Sequence, residues 1–413
     1  MEEVKSENNK SIKLLEKLKI NKKTIIILSS ILLLFVTIIS LVSINNNRYT
    51  NVNLKPTKDA MGIEIYEHKG VLYYESYDGY YMLAIEKKQG LRTVIPDKIN
   101  NRFVVGLQFT HALYDYNKLV LGKGVYKIVS FNHIDANKKY NKYKNGYYLG
   151  SKSNPYQILV KYDIEDNKKI LIHPDTVNIS PYVNLSPYSY DKSKLNEYNG
   201  GYYLGNNLNP YIMFVGAQFK EPSSLKLHKN TKTIASQNYF NVIGRLESLE
   251  LNKSLKYFQT GMFTHLGYSR LEKLSIPKSV KYIGDSNVLW QLTNEVEVHK
   301  KNKYYSSIDG NLYDKKGETF LGFVNKNEQD TVILPDTLNS IPNYSFYFNA
   351  PANIVIPSSV LYIGKKAFEN GRTNIFTYVS NDLEGWEEGW SSDNNVYYAG
   401  EWKMINGVPT PNK

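Results

Sequence analysis

The sequence contains no cysteine. That excludes a disulfide framework, a thiolate nucleophile and a cysteine-ligated metal site. It also excludes the lipid-bearing cysteine by which bacterial lipoproteins are anchored. Absent too are His-Glu-x-x-His, Gly-x-Ser-x-Gly and any glycine-rich loop suited to phosphate. Beyond the first 24 residues no Lys/Arg run is longer than two, which weighs against a nucleic-acid partner. Long apolar runs are missing as well, with one exception.

The exception is Ile25 to Ile44, IIILSSILLLFVTIISLVSI, which carries no charge. Twenty residues at about 1.5 Å rise give roughly 30 Å, the thickness of a bilayer's hydrocarbon core. Seven lysines precede it (Lys5, Lys10, Lys13, Lys17, Lys19, Lys22, Lys23), whereas residues 45–59 hold only Arg48, Lys55 and Lys58. The positive-inside rule keeps the N-terminus in the cytoplasm and sends the rest outside. A cleaved signal peptide is the rival reading. The run is longer than a usual h-region and its exit, SLVSINNNRYT, offers no small-x-small site, so an uncleaved anchor is expected.

The formal charge is +12, of which residues 1–24 supply seven Lys against four Glu, leaving +9 for the remainder. A basic exterior attracts anionic wall polymer, acidic glycans or acidic protein surfaces. A solvated Lys/Asp/Glu surface accounts for most of that charge without any partner. Asn, Lys, Ile and 36 Tyr dominate the composition, residues whose A/T-rich codons suit an A/T-rich bacterial genome.

One pattern returns along the exterior. Leu274-Ser-Ile276-Pro-Lys-Ser-Val280-Lys-Tyr-Ile283 and Ile354-Val-Ile356-Pro-Ser-Ser-Val360-Leu-Tyr-Ile363 are clean copies. With the last strand residue as slot zero, apolar residues recur at +4, +7 and +12. Leu251/Leu255/Phe258/Phe263 and Leu334/Leu338/Ile341/Phe346 fit all four slots. Leu121/Val125/Ile128, Ile172/Thr176/Ile179 and Leu227/Thr231/Ile234 fit the first three. Slot zero recurs after 24 residues (227 to 251), 25 (251 to 276) and 22 (276 to 298, and 334 to 356). Such a period, with one short apolar strand per unit, marks a leucine-rich-repeat solenoid. A lone unit cannot bury its inward face, but stacked units align the slots into apolar ladders. Pro96, Pro277, Pro335 and Pro357 end the strands.

Insertions interrupt the period. Gly146-Tyr-Tyr-Leu-Gly150 … Asn154-Pro155-Tyr156 returns as Gly201-Tyr-Tyr-Leu-Gly205 … Asn209-Pro210-Tyr211, offset by 55. Strand, turn cluster, strand predicts a β-hairpin in each. Further hairpins are expected at Asp78-Gly79 and around Lys315 to Gly317.

Taken as a set, LSIPKSVKYIG, VIPSSVLYIGKKAF, TVIPDKINNRFVVGLQF, YYSSIDGNLYDKKGETFLGF, the paired NGYYLG…NPY segments and LEGWEEGW…VYYAGEW resemble the BspA-type leucine-rich repeats of bacterial surfaces. The resemblance covers about residues 61–402. It implies a solenoid displayed outside the cell, with adhesion to host matrix, other cells or glycans, and no shared active site. The copy departs from the pattern where the +12 Phe is replaced by Val288 and Asn184.

The expected organisation is therefore a cytoplasmic basic tail (1–24), a transmembrane helix (25–44), a polar stalk (45–59), a β-rich solenoid with a parallel concave sheet and inserted hairpins (60–403), and a polar C-terminal tail (404–413). The aromatic-rich ends, 61–90 and 383–402, read as caps, so a monomer is expected.

Chemistry is sparse. His173, His228 and His299 all occupy slot +1, where other copies have Pro, and so belong to different units. His68, His111, His133 and His265 lack partners at useful spacing, and no metal or cofactor is expected. Glu387 and Glu388 are adjacent, and adjacent residues on an extended segment point apart, unlike a hydrolase pair. Catalysis is not expected. Paired tyrosines (Tyr147-Tyr148, Tyr202-Tyr203, Tyr304-Tyr305, Tyr397-Tyr398) put one ring in and one out. The outer rings suit packing against neighbouring hairpins, as Tyr is often half-buried. They also suit ligand contact. For a macromolecular ligand, solenoid geometry points to the outward strand residues just before slot zero: Lys226, Glu250, Ser275, Glu297, Ile333 and Val355, with Val120 and Leu171 earlier in the series. The function expected is binding of an extracellular protein or glycan. The alternative is an envelope scaffold that holds anionic wall polymer or a neighbouring membrane protein.

Overall fold

Slots that recur in sequence become columns in space. The computed structural model describes residues 49–412, apart from 59–63, 77–78, 86–91, 109–117, 131–138, 166–167, 181–182, 184–191, 220–221, 236–241, 244, 264–269, 285, 325–328, 347–349 and 370–371. The described chain from Asn51 on is one unit, a β-solenoid of about 11 turns. The expected cytoplasmic tail and the span at Ile25–Ile44 lie outside the described residues. Among the described residues no helix is long and apolar enough to cross a membrane.

Most turns contribute to two parallel ladders. The first holds the residues up to slot zero. Ser223–Lys226 pairs with Leu246–Glu250, Leu274–Ile276 with Val296–Val298, and Thr331–Ile333 with Asn353–Ile356, which continues to Asn374–Thr377 and Asn395–Tyr397. The second ladder holds slots +6 and +7. Met213–Gln218 pairs with Thr233–Ile234, then Tyr257–Gln259, then Tyr282–Gly284; after an interruption Ser340–Ile341 pairs with Tyr362–Ile363.

Between the ladders sits the core. At slot +4 Val125, Thr231, Leu255, Val280, Leu338 and Val360 are all wholly buried. At slot +12 Phe263, Phe346 and Phe368 form part of the same interior, with Phe346 and Phe368 stacked at 4.8 Å. Each such side chain contributes about 1.5–3 kcal/mol on burial, and the contribution needs a neighbouring turn on each side. Where Val288 replaces the +12 Phe, the next residue, Leu289, is buried in its stead.

Polar side chains satisfy the carbonyls that the tight turns leave inside. Asn252 Nδ2 donates to His228 O (2.9 Å) and Thr231 O (3.0 Å) of the preceding turn. Asn302 does the same for Pro277 O and Val280 O. The slot +1 histidines have a related duty. His173, His228 and His299 each accept at Nδ1 the backbone N–H two residues on, at 3.1–3.2 Å. Asn252 Oδ1 serves Ser254 N in the same way. These rings are turn caps, which explains why they alternate with Pro at one slot.

The inserted hairpins form as expected. Gly146–Leu149 is antiparallel to Ile158–Tyr162 and Gly201–Leu204 to Met213–Gln218, each with a further strand, Asn141–Tyr143 or Asn196–Tyr198, on its outer edge. The last strand of each insert joins the second ladder, so the insert is continuous with the solenoid. Gly150 and Gly205 are required, because a Cβ there would meet the carbonyl oxygen of Asn154 or Asn209 at 2.2 Å. Val71–Ser76 with Gly79–Ile85, and Asn311–Asp314 with Phe320–Gly322, are the other expected hairpins.

Two boundaries differ from expectation. The segment expected as a stalk is folded onto the array from Asn51: Asn51–Val52 pairs with Lys98–Ile99, and Asn100 holds Leu54 N and Leu54 O at 2.8 and 3.0 Å. The segment expected as a polar tail is a β-hairpin, Trp402–Ile405 with Val408–Pro411, turning at Asn406-Gly407 with φ of 50° and 80°. Asn-Gly is the residue pair such a turn demands, since both positions need positive φ. The signal was in the sequence, outweighed by the polarity around it.

Candidate binding groove

The six residues predicted from strand geometry are brought together as three facing pairs. Lys226 lies opposite Glu250, Ser275 opposite Glu297, and Ile333 opposite Val355. Lys226 Nζ meets Glu250 Oε2 at 2.9 Å, and Ser275 Oγ donates to Glu297 Oε2 at 3.3 Å, so the polar members largely satisfy one another. Ile333 is 54% exposed. Val355 is wholly buried, in a cluster with Phe376 and Trp402 that the C-terminal hairpin closes. Val355 therefore offers no free surface, because the hairpin that covers it comes from outside the repeat.

A concavity lies elsewhere, against the second ladder. A groove of about 830 Å³ is lined on one wall by Tyr282, Tyr305, Tyr344, Tyr362, Lys281 and Glu387, and on the other by Tyr66, Tyr80, Glu75 and Arg102. None of the six predicted residues lines it. Tyr257, Tyr282 and Tyr362 all occupy slot +6, the outward position beside the buried +7. The sequence signal was the recurring Lys-Tyr-Phe, Lys-Tyr-Ile and Leu-Tyr-Ile triplets, which register alone did not distinguish from packing.

The opposite wall is stiff. Asn100 and Asn101 form the two-residue turn between Lys98–Ile99 and Arg102–Gln108, both with positive φ. That turn sets Arg102 against Glu75, with which it forms an ion pair, and Arg102 Nη2 donates to Ser76 O at 3.0 Å. Tyr66 and Tyr80 both donate to Glu75 Oε2 at 3.3 Å, and their rings meet edge to face at 5.0 Å. Burial raises the phenols of Tyr66, Tyr80 and Tyr305, and pushes Tyr362 up to about 12. All four hydroxyls therefore stay protonated at neutral pH and serve as both donors and acceptors.

The outer tyrosines of the inserts are engaged locally. Lys142 and Lys161 flank the Tyr147 ring at 4.7 and 4.8 Å, and the Tyr147 hydroxyl donates to Asp163 at 2.7 Å. Lys192 lies 5.1 Å from the Tyr202 ring. The inner partners, Tyr148 and Tyr203, are wholly buried. Of the pairs singled out in the sequence, Tyr304-Tyr305 reaches the groove. Among the described residues no group of three or more His, Asp or Glu is placed to hold a metal ion.

Stacked short strands and two parallel ladders define a leucine-rich-repeat solenoid, here with an open groove. Residues 217–308 and 321–386 match the BspA type leucine-rich repeat region in six copies. No curated protein matches the sequence. Among solved structures the chain is similar to the pneumococcal vaccine antigen PcpA (14% identity, 83% of this chain and 82% of that one, TM-score 0.33). It is also similar to leucine-rich repeat proteins from Eubacterium ventriosum (14%, 80% and 77%, TM-score 0.31) and Bacteroides ovatus (13%, 81% and 71%, TM-score 0.21).

Proposed function

We propose that the protein is a single-pass membrane protein whose repeat domain stands outside the cell and binds a protein or glycan ligand in adhesion or another cell-surface interaction. The observation that carries the binding reading is the tyrosine-rich groove of about 830 Å³, within the roughly 300–1,000 Å³ typical of ligand sites. The uncharged run Ile25–Ile44 behind seven lysines supports the anchor and its orientation.

Binding is tested with the full-length protein in lipid nanodiscs against extracellular-matrix proteins, arrayed glycans and the producer's own cell walls, at low and high salt. Saturable binding to a matrix protein or glycan that survives high salt supports the reading. Retention on the producer's walls alone, abolished by salt, is the behaviour of an envelope scaffold held by its basic charge. Topology is tested by adding protease to intact cells. The repeat domain should be degraded and the lysine-rich N-terminus protected.

A further inference from the structure

The groove exists because the second ladder is broken. Among the described residues that ladder runs through Tyr257–Gln259 to Tyr282–Gly284 and resumes at Ser340–Ile341 with Tyr362–Ile363. The sheet of Tyr305–Ile308, Asn311–Asp314 and Phe320–Gly322 fills the interval. At the break, Ile283 N donates to the Tyr305 hydroxyl at 2.9 Å, so a phenol closes the edge where another strand would have paired. An extended peptide that bound by adding a strand would find that edge taken.

Tyr304, Tyr305 and Tyr362 line the groove along the break. Tyr304, at the groove, is 45% exposed. The lining charges balance, with Lys98, Arg102 and Lys281 against Glu75, Asp314 and Glu387, although the whole chain carries +12. Arg102 and Glu75 are moreover paired with each other. A phosphate or acidic sugar would find no surplus positive charge here. A flat protein face would need about 1,200–2,000 Å² of contact, more than a narrow groove presents.

We infer that the groove is a carbohydrate site, which takes a short uncharged oligosaccharide along the Tyr304, Tyr305 and Tyr362 side of the break. A pyranose ring has an apolar face of C–H groups, weakly positive at hydrogen, which packs on the negative face of a tyrosine ring. Its rim of hydroxyls then meets the Tyr304 hydroxyl, the Glu387 carboxylate and the Lys281 ammonium, each able to exchange hydrogen bonds with a neutral polyol. This assignment rests on the ligand-binding function proposed above and gives it a site and a chemical class.

The test applies the full-length protein in nanodiscs to an array of neutral and acidic glycans at low and high salt. Calorimetric titration with the free form of the best neutral oligosaccharide follows. Tyr362→Ala should weaken binding by about tenfold, with Tyr362→Phe recovering most of the ring contribution. Tyr304→Ala removes an already exposed ring, so its loss of binding cannot be laid to misfolding. The double variant Lys226→Ala/Glu250→Ala, on the other ladder, should bind like the parent, and high salt should change little. An array on which no neutral glycan is bound overturns the assignment. So does neutral-glycan binding that survives Tyr304→Ala and Tyr362→Ala but fails in the Lys226/Glu250 variant. A blank array beside firm binding to a matrix protein would sink the carbohydrate site and leave the broader function standing; silence on both panels would remove both.

Discussion

Tyr126 and Tyr282 stack with ring centroids 3.9 Å apart and planes 29° from parallel. Tyr126 follows slot +4 of an early turn and Tyr282 sits at slot +6 of a much later one, so this contact ties the two walls of the groove. Tyr257 joins it at 5.6 Å. Replacing Tyr126 by Ala should lower stability by about 1–3 kcal/mol and loosen the groove, since it removes an aromatic contact and the area beneath it. Denaturant unfolding measures the first effect. Faster hydrogen exchange at residues 281–284 would report the second, and unchanged exchange there would show that Tyr126 merely packs.

Trp402 covers the end of the first ladder. Its indole Nε1 donates to Thr377 O at 2.9 Å and its ring lies 5.3 Å from Phe376. Trp402→Ala should uncover Val355 and Phe376 at a cost of about 3–5 kcal/mol, felt first at this end of the array. Limited proteolysis should then cut near residues 402–411 well before the central repeats. A variant as protease-resistant as the parent would show that the hairpin is held by something other than this ring.

Thr231 fills slot +4, where most other turns place Val or Leu, and its wholly buried hydroxyl has no hydrogen-bond partner among the described residues. Thr231→Val keeps the shape and removes the desolvated hydroxyl, so a gain of about 1 kcal/mol is expected. The melting temperature should rise. A fall would mean that the hydroxyl bonds to water or to a residue in motion.

Partial burial lowers the imidazole pKa of His173, with Lys232 acting in the same sense and Asp175 opposing; burial and Lys229 lower that of His228. Both rings accept an N–H at Nδ1, which protonation abolishes. The folded state thus binds fewer protons than the unfolded chain once pH falls below the ordinary imidazole value of about 6.5. The stability these neutral rings contribute is complete above that value and is lost as pH falls from it toward the folded pKa. Melting temperature should therefore fall between about pH 7 and pH 5. His173→Asn with His228→Asn should flatten that slope, because Asn252 already caps the equivalent turn without titrating. An unchanged slope would place the acid sensitivity in other groups.

The hairpins at Gly146 and Gly201 and the slot columns were legible because local chemistry fixes them. A Pro, a capping His or the capping Asn252 ends most of the strands, glycine is the residue that fits at 150 and 205, and apolar slots recur at the solenoid period. The C-terminal hairpin was legible too, in Asn406-Gly407. The groove was not. Slots −1 and +6 both alternate outward beside a buried residue, and the pattern alone treats them alike.

The sequence by itself determined the repeat, its period, the residues that face the core and the hairpins inserted between turns, because each depends on neighbours within a turn or on the identical slot of the next. Tertiary structure decided which outward face is open. Tyr66, Arg102 and Tyr126 come from early turns and Trp402 from beyond the repeat, and no periodicity encodes where they meet the array. They bury Val355 and enclose the slot +6 tyrosines through contacts between segments far apart in the chain. Such contacts join segments that no repeat period relates, so the choice between two equivalent faces belongs to the assembled molecule.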